Sequence, residues 1–257
     1  MGFRHIDTAT SYHNEDMVGR VIAESGIPRG EFFITSKLNN PDQGYESTLE
    51  AFERSLAWLG TDYLDLYLIH WPRVAGTEDI WEERVAETWR AFEELYRAGR
   101  IRAIGVSNFL VHHLEGLARH ASIAPMVNQI EHNPTYQQRE TVAYCEEHGI
   151  QLEAWAPLGR GHLFDNPDVV ALAERKGKDV GQICVRYALQ KGFVTMPKSN
   201  RPERIRSNSE VFDFALDKDD MALLDSLNTD DCYTFHPDRL DEWAERVARA
   251  HAESGVA

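Results

Sequence analysis

Strand-like and helix-like patterns alternate along almost the whole chain, and that alternation leaves few folds open. Short apolar, β-branched or aromatic runs fall at Phe3–Ile6, Phe32–Thr35, Leu64–Ile69, Ile101–Val106, Met126–Ile130, Gln151–Trp155 and Phe193–Met196. Each has the length and residue types of a strand. Between them apolar residues recur at helical spacing, as with Leu49, Phe52, Leu56 and Leu59, and again with Val85, Trp89, Phe92 and Tyr96. Gly26, Gly60, Gly99, Gly149, Gly177 and Gly192 stand where such segments stop, and a left-handed cap is expected at each. Pro28, just after the first, reinforces that stop. Strand then helix, seven times over, means parallel strands joined by crossover helices.

A doubly wound sheet and a (β/α)8 barrel both satisfy the pattern. No Gly-x-Gly-x-x-Gly follows any of the strands, which weakens the dinucleotide-sheet reading. Polar residues of unusual kind instead end most of the strands: Asp7, Lys37, His70, Ser107 with Asn108, Gln129 with Glu131, Trp155 and Lys198. Barrel active sites are assembled from strand ends in this way. The expected fold is therefore α/β, a (β/α)8 TIM barrel with seven β/α units present and the first strand and helix lacking. It is expected as a single domain over residues 1–257, with a core at 2–228 and a tail at 229–257. That tail is acidic and loop-like, and is expected to end in an amphipathic helix bearing Leu240, Trp243 and Val247 on one face.

Bulk properties narrow the function classes. A chain of 257 residues with 42% hydrophobic content and six Trp can build a substantial core. Its net charge of −15, with Lys and Arg scattered, argues against a nucleic-acid partner. Cys145, Cys184 and Cys232 are odd in number, far apart and not at metal-ligand spacing, which fits a reducing cytoplasm. No apolar run approaches the 18 residues of a membrane span, and no export signal opens the chain. A soluble, unexported protein with no metal is expected.

Four residues carry the chemistry. Lys37, at a strand end, is partly desolvated at a barrel mouth and requires a counter-charge, which Asp7 on the neighbouring strand can supply. For a tyrosine near that ammonium, as Tyr12 is expected to be, the cation would favour the phenolate form. Such a group can give a proton to a developing alkoxide and recover one from solvent. His70, one strand further on, can donate a hydrogen bond to a carbonyl oxygen. Singly, each has an ordinary structural explanation: an ion pair, a core tyrosine, a satisfied histidine. Together, at successive strand ends, they favour catalysis. Two other groupings are set aside. His112 and His113 occupy adjacent helical positions, expected to face different directions and so to be poor metal partners. Glu131 and Glu153 could suggest the carboxylate pair of a glycosidase, but that chemistry has no use for a neighbouring Lys–Tyr–His set.

The segments Gly2–Ala9 with Tyr12, Thr35-Ser36-Lys37-Leu38 and Leu68-Ile69-His70-Trp71-Pro72 resemble signatures of the aldo-keto reductases. So do Gly105–Phe109, Val127–Glu131 and Pro197–Asn200, continuing through Arg204, Ile205 and Asn208. The resemblance spans about residues 2 to 228 and is nearest to the bacterial 2,5-diketo-gluconate reductase-like branch. It implies a barrel that uses NADP(H) to reduce aldehydes, ketones or keto-sugars, with Tyr12 as general acid, Lys37 and Asp7 tuning it, and His70 orienting the carbonyl. It also implies cofactor contacts from Ser107, Asn108 and Gln129, whose side chains suit a carboxamide, and from Trp155, Pro157 and Leu158, with the Trp155 ring stacking on a nicotinamide. Lys198, Ser199, Asn200 and Arg204 gather cationic and hydroxyl groups before a short helix, where an anion such as a ribose phosphate is favoured, with Asn208 close by. Trp71 and Phe109, with Tyr233, Phe235 and Trp243 of the tail, are expected at the substrate rim. Ser207 stands where many relatives carry a glutamate, and Trp155 where Tyr or Phe is commoner. The family pattern places one further β/α unit before Arg4-His5-Ile6-Asp7, which motivates an alternative reading as a catalytically silent NADP(H)-binding module. A monomer is expected, with a small carbonyl compound as its only partner.

Overall fold

The computed structural model describes residues 2–73, 76–77, 79–230, 232–233 and 235–239. These divide into two compact units. An N-terminal unit comprises the described residues of 3–127 with 235–239, and a C-terminal unit comprises those of 128–233 with Gly2. The tail helix expected around Leu240, Trp243 and Val247 lies outside the described residues.

In the N-terminal unit, strands β1 (His5–Asp7), β2 (Phe33–Leu38), β3 (Leu66–Ile69) and β4 (Ile104–Ser107) are neighbours in chain order and parallel. Helices α1 (Glu15–Glu24), α2 (Tyr45–Leu59), α3 (Trp81–Arg97) and α4 (Val111–Ala118) follow them. The core is made by the residues the spacing singled out: Phe52, Leu56 and Leu59 from α2, Val85, Trp89 and Phe92 from α3, and the fully buried run Leu66–Ile69. Gly60 ends α2 in the left-handed conformation at φ 62°, as expected of a glycine cap. Gly105 has a different reason to be glycine. A Cβ there would lie 2.6 Å from the Val127 carbonyl oxygen and 2.8 Å from Leu68 Cδ2, so β4 can pack this closely only without a side chain.

Three expected strand starts shift by two residues or more. Phe3 and Arg4 precede β1, and Phe3 is exposed. Leu64 and Ile101 form an isolated bridge ahead of β3 and β4 rather than belonging to them. The space just before these strands is taken by an ion cluster. Asp65, 2% exposed, accepts from the Ile34 amide at 2.9 Å, from Arg29 at 2.9 Å and from Arg102 at 3.0 Å. Both guanidiniums lie over the Tyr63 ring, 4.1 and 4.3 Å from its centroid. The carboxylate is thus satisfied on both oxygens at the N-terminal ends of the strands.

The C-terminal unit holds β5 (Val127–Glu131, all but its first residue), β6 (Gln151–Trp155) and β7 (Val194–Met196), again neighbours in chain order. Helices α5 (Arg139–Glu147), α6 (Pro167–Lys176), α7 (Val180–Gln190), α8 (Pro202–Ser207) and α9 (Lys218–Ser226) complete it. Its core gathers Leu163, Val169, Leu172, Ile183, Cys184, Tyr187 and Leu224. No helix among the described residues is long and apolar enough to cross a membrane.

His132, 2% exposed, is stacked between Phe193 (centroids 4.0 Å apart) and Tyr187 (5.9 Å). Burial, with the Lys191 ammonium nearby, pushes its imidazole down to about 3. Its folded value lies below the unfolded value of about 6.5, so the unfolded chain binds the extra proton between these limits and stability falls as pH drops. We expect this one ring to remove about 2 kcal/mol between about pH 7.5 and about pH 5. In His132→Phe, which keeps the stack, denaturant melts at the two pH values should show a correspondingly smaller difference.

Candidate active site

The residues after β1 form a tight turn that presents Tyr12. Thr10–Tyr12 is a single 3-10 turn, closed by the Tyr12 amide donating to Ala9 O at 2.9 Å and ended by His13 in the left-handed conformation at φ 52°. Thr10 anchors it from beneath, donating to the Lys37 carbonyl at 3.2 Å and lying 3.2 Å from Ser55 Oγ. Thr8 donates to Asn14 Oδ1 at 2.7 Å. Glu15 accepts from Ser36 at 2.5 Å and Ser55 at 3.2 Å, and burial raises its carboxyl above the usual range. These supporting contacts escape sequence reading, because Thr, Ser and Asn after a strand look like any polar turn.

On this base the four expected groups meet. Lys37, 1% exposed, gives its Nζ to Asp7 Oδ1 at 2.5 Å and to the Thr8 carbonyl at 2.9 Å. It lies inside β2 rather than at its end. The same ammonium is 5.2 Å from the Tyr12 ring centroid. The Tyr12 ring is half exposed and stands edge-on to His70, with centroids 5.8 Å apart at 81°. His70 follows β3 directly. Burial, then the Lys37 charge, pushes its imidazole down to about 3, so the ring is neutral and able to donate from one nitrogen only. Asn108, buried and left-handed at φ 64°, donates from Nδ2 to the His70 carbonyl at 2.9 Å and to Ser107 Oγ at 3.1 Å. Asn108 thereby holds the His70 backbone, with Ser107 bracing the Asn108 amide. A neutral donor beside a phenol that faces a cation is suited to polarising and protonating a carbonyl oxygen.

Around it, Trp71 is partly buried. Its carbonyl accepts from Gln43 at 2.8 Å, and Phe235 meets its ring edge-on at 5.5 Å. Phe109 corrects the expectation made for it. It is fully buried against His113 (centroids 5.9 Å apart) and is a core residue here, not a rim. The reading of His112 and His113 is also corrected. Their rings lie 3.9 Å apart, and both Nε2 atoms approach Asp238 Oδ1, at 3.1 and 3.3 Å. The three could enclose a cation by distance alone. However, His113 Nδ1 accepts the Leu110 amide at 3.2 Å, so the proton of that buried ring resides on Nε2, the atom a metal would need bare. The cluster is a clasp in which His112 Nε2 hydrogen-bonds Asp238 and His113 Nε2 approaches the same oxygen, and that His113 approach holds the Asp238 carboxyl down at about 2.

The expected residues of the C-terminal unit sort into two groups. Gln129 is buried and donates to Glu153 Oε2 at 2.8 Å, which accounts for Glu153 as a partner of an amide rather than half of a carboxylate pair. Trp155 ends β6 partly buried, followed by Ala156 in the left-handed region at φ 49°, buried Pro157 and half-buried Leu158. After β7, Lys198, Asn200 and Arg204 are exposed and Ser199 is half-buried, its Oγ accepting the Arg201 amide at 3.1 Å. Asn208 is buried beside Gly181 at the start of α7. Tyr233 stacks on His162 at 4.3 Å, and its hydroxyl accepts from Thr135 at 2.8 Å.

The aldo/keto reductase family profile matches residues 1–229. The chain is 53% identical over 239 residues to the glyoxal reductase of Bacillus subtilis, spanning 93% of this chain and 84% of that one. Among solved structures, MGS-M4, an aldo-keto reductase from a Medee basin deep-sea metagenome library, shares 48% identity with a TM-score of 0.87, over 93% of this chain and 86% of its own. A variant of Gox0644 in complex with NADPH shares 39% identity with a TM-score of 0.85, over 93% and 84%. The fold is of the α/β barrel class expected from the alternation of strands and helices.

Proposed function

Because the chain belongs to the aldo/keto reductase family, we propose that it reduces small aldehydes and ketones to alcohols, with NADPH as hydride donor and Tyr12 as proton donor. The observation that carries this reading is the contact set in the N-terminal unit: Asp7 to Lys37 at 2.5 Å, Lys37 to the Tyr12 ring at 5.2 Å, Tyr12 to the His70 ring at 5.8 Å. His70, neutral, donates to the carbonyl oxygen and polarises it. As negative charge develops there, the Tyr12 hydroxyl passes its proton to that oxygen, and the Lys37 ammonium stabilises the phenolate left behind. The half-exposed phenol regains its proton from solvent. When bound, NADPH supplies the hydride to the carbonyl carbon.

The chain's own cations fit such a donor. In the C-terminal unit, Lys176, Lys178, Lys191 and Arg175 are all paired with aspartates. Lys198 and Arg204 have no carboxylate partner among the described residues and stand exposed around the start of α8. Unneutralised cations grouped in a chain of net charge −15 suit a phosphate, which favours NADP(H) over NAD(H). We therefore expect Arg204→Glu to raise the KM for NADPH about tenfold or more while leaving that for NADH little changed. Initial rates with both cofactors check this.

The substrate class follows from the small polar centre and the aromatic Trp71 and Phe235 beside it, which suit small carbonyl and dicarbonyl compounds; the glyoxal reductase likeness supports the same class. The family profile runs through both units, which supports treating them as one functional domain. The free thiols of Cys145 and Cys184 support a cytoplasmic protein. A panel of aldehydes, ketones, dicarbonyls and keto-sugars followed by NADPH absorbance tests the proposal. Carbonyl-dependent oxidation is the expected result. NADPH binding without oxidation by any of them would overturn it in favour of a silent nucleotide-binding module.

A further inference from the structure

We infer that Ser11 is a positioning residue that fixes the proton of the His70 imidazole on Nε2, the nitrogen left free to meet a substrate oxygen. This rests on the reading of the site as a carbonyl reductase. Ser11 Oγ lies 3.3 Å from His70 Nδ1. A neutral imidazole carries one N–H, and which nitrogen holds it is decided by the hydrogen bond made by the other. The Ser11 hydroxyl makes no other hydrogen bond among the described residues, so no acceptor among them competes for its proton. With that hydroxyl donating to Nδ1, both groups are satisfied and Nε2 keeps the proton. The reverse arrangement leaves the hydroxyl proton to water and turns a bare lone pair towards the carbonyl oxygen, where two acceptors would oppose each other.

Two further contacts make the hydroxyl decisive. The His70 backbone is already held, through its carbonyl, by Asn108 at 2.9 Å, so rotation and proton placement of the ring are what remain to be set. Ser11 also belongs to the same 3-10 turn as Tyr12, its immediate neighbour. One turn therefore carries the proton donor and orients the group that polarises the acceptor, so the two act on the same oxygen in a fixed relation.

The experiment compares Ser11→Ala and Ser11→Thr with the parent chain. Nitrogen-15 long-range correlation spectra of histidine-labelled protein read the tautomer of each ring, and His70→Gln identifies the His70 signals among the eleven histidines. The expected result is an Nε2–H ring in the parent and in Ser11→Thr, and a loss of that preference in Ser11→Ala. With it, kcat should fall about tenfold in Ser11→Ala and recover in Ser11→Thr, with NADPH affinity by fluorescence titration unchanged in both. An unchanged His70 tautomer in Ser11→Ala overturns the inference, and so does a changed tautomer with unchanged kcat. Absence of turnover in the parent chain would instead overturn the reductase reading, leaving the spectra to decide the Ser11–His70 contact alone.

Discussion

Tyr12→Phe should lower kcat for carbonyl reduction by about a thousandfold, the scale of a positioned general acid. The substitution removes one oxygen and nothing else. The ring can still lie 5.2 Å from the Lys37 ammonium and edge-on to His70, and its half-exposed position means the hydroxyl contributes little to folding. Melting temperature and NADPH affinity by fluorescence titration should therefore match the parent chain. This separation distinguishes loss of the proton donor from general damage. Turnover retained within tenfold would remove Tyr12 from the role.

Lys37→Met should act on both rate and stability, and the two effects can be separated. A unit charge about 5 Å from the developing phenolate, at an effective dielectric near 20, is worth roughly 3 kcal/mol, or about a hundredfold in rate. Removing it also leaves Asp7, with its side chain only 15% exposed, without the ammonium that sits 2.5 Å away. Breaking such a pair from one side costs about 3 kcal/mol of stability. The double variant Asp7→Asn with Lys37→Met takes away the stranded charge as well. Its denaturant midpoint should return most of the way to that of the parent, while kcat stays low. If activity recovered along with stability, Lys37 would be a structural lysine and not part of proton transfer.

The Asp7–Lys37 pair was legible from sequence for a definite physical reason. Parallel pairing sets Asp7 opposite Thr35, and Lys37 is two residues further along β2, on the same face of the sheet. Any chain with this strand order brings the two together. The strand limits were read less well, because residue type reports a liking for extended backbone while a strand requires a partner: Phe3 and Leu64 have the first without the full second. His112 and His113 were misread because helical spacing describes what a helix does alone. Asp238, 126 positions from His112, draws both rings towards one oxygen, and no local rule contains it. Phe109 looked like a rim residue because it follows Ser107 and Asn108, yet its ring is buried beside His113. Ser11 gave no signal at all. Its significance lies in a distance to a ring 59 residues away, and a serine in a polar turn is the commonest thing a turn contains.

In the N-terminal unit, charge is concentrated at both ends of the parallel strands, and the two concentrations share no side chain. Asp65, Arg29 and Arg102 lie before the strands, while towards their far ends stand Asp7 as the last residue of β1, Lys37 as the last but one of β2 and His70 just after β3. Selection for heat tolerance or altered solubility can therefore work on one end without disturbing the other. A lineage moving between environments could remodel the Asp65 end while its catalytic rate constants stayed where they were, and a designer seeking a hardier biocatalyst has the same freedom.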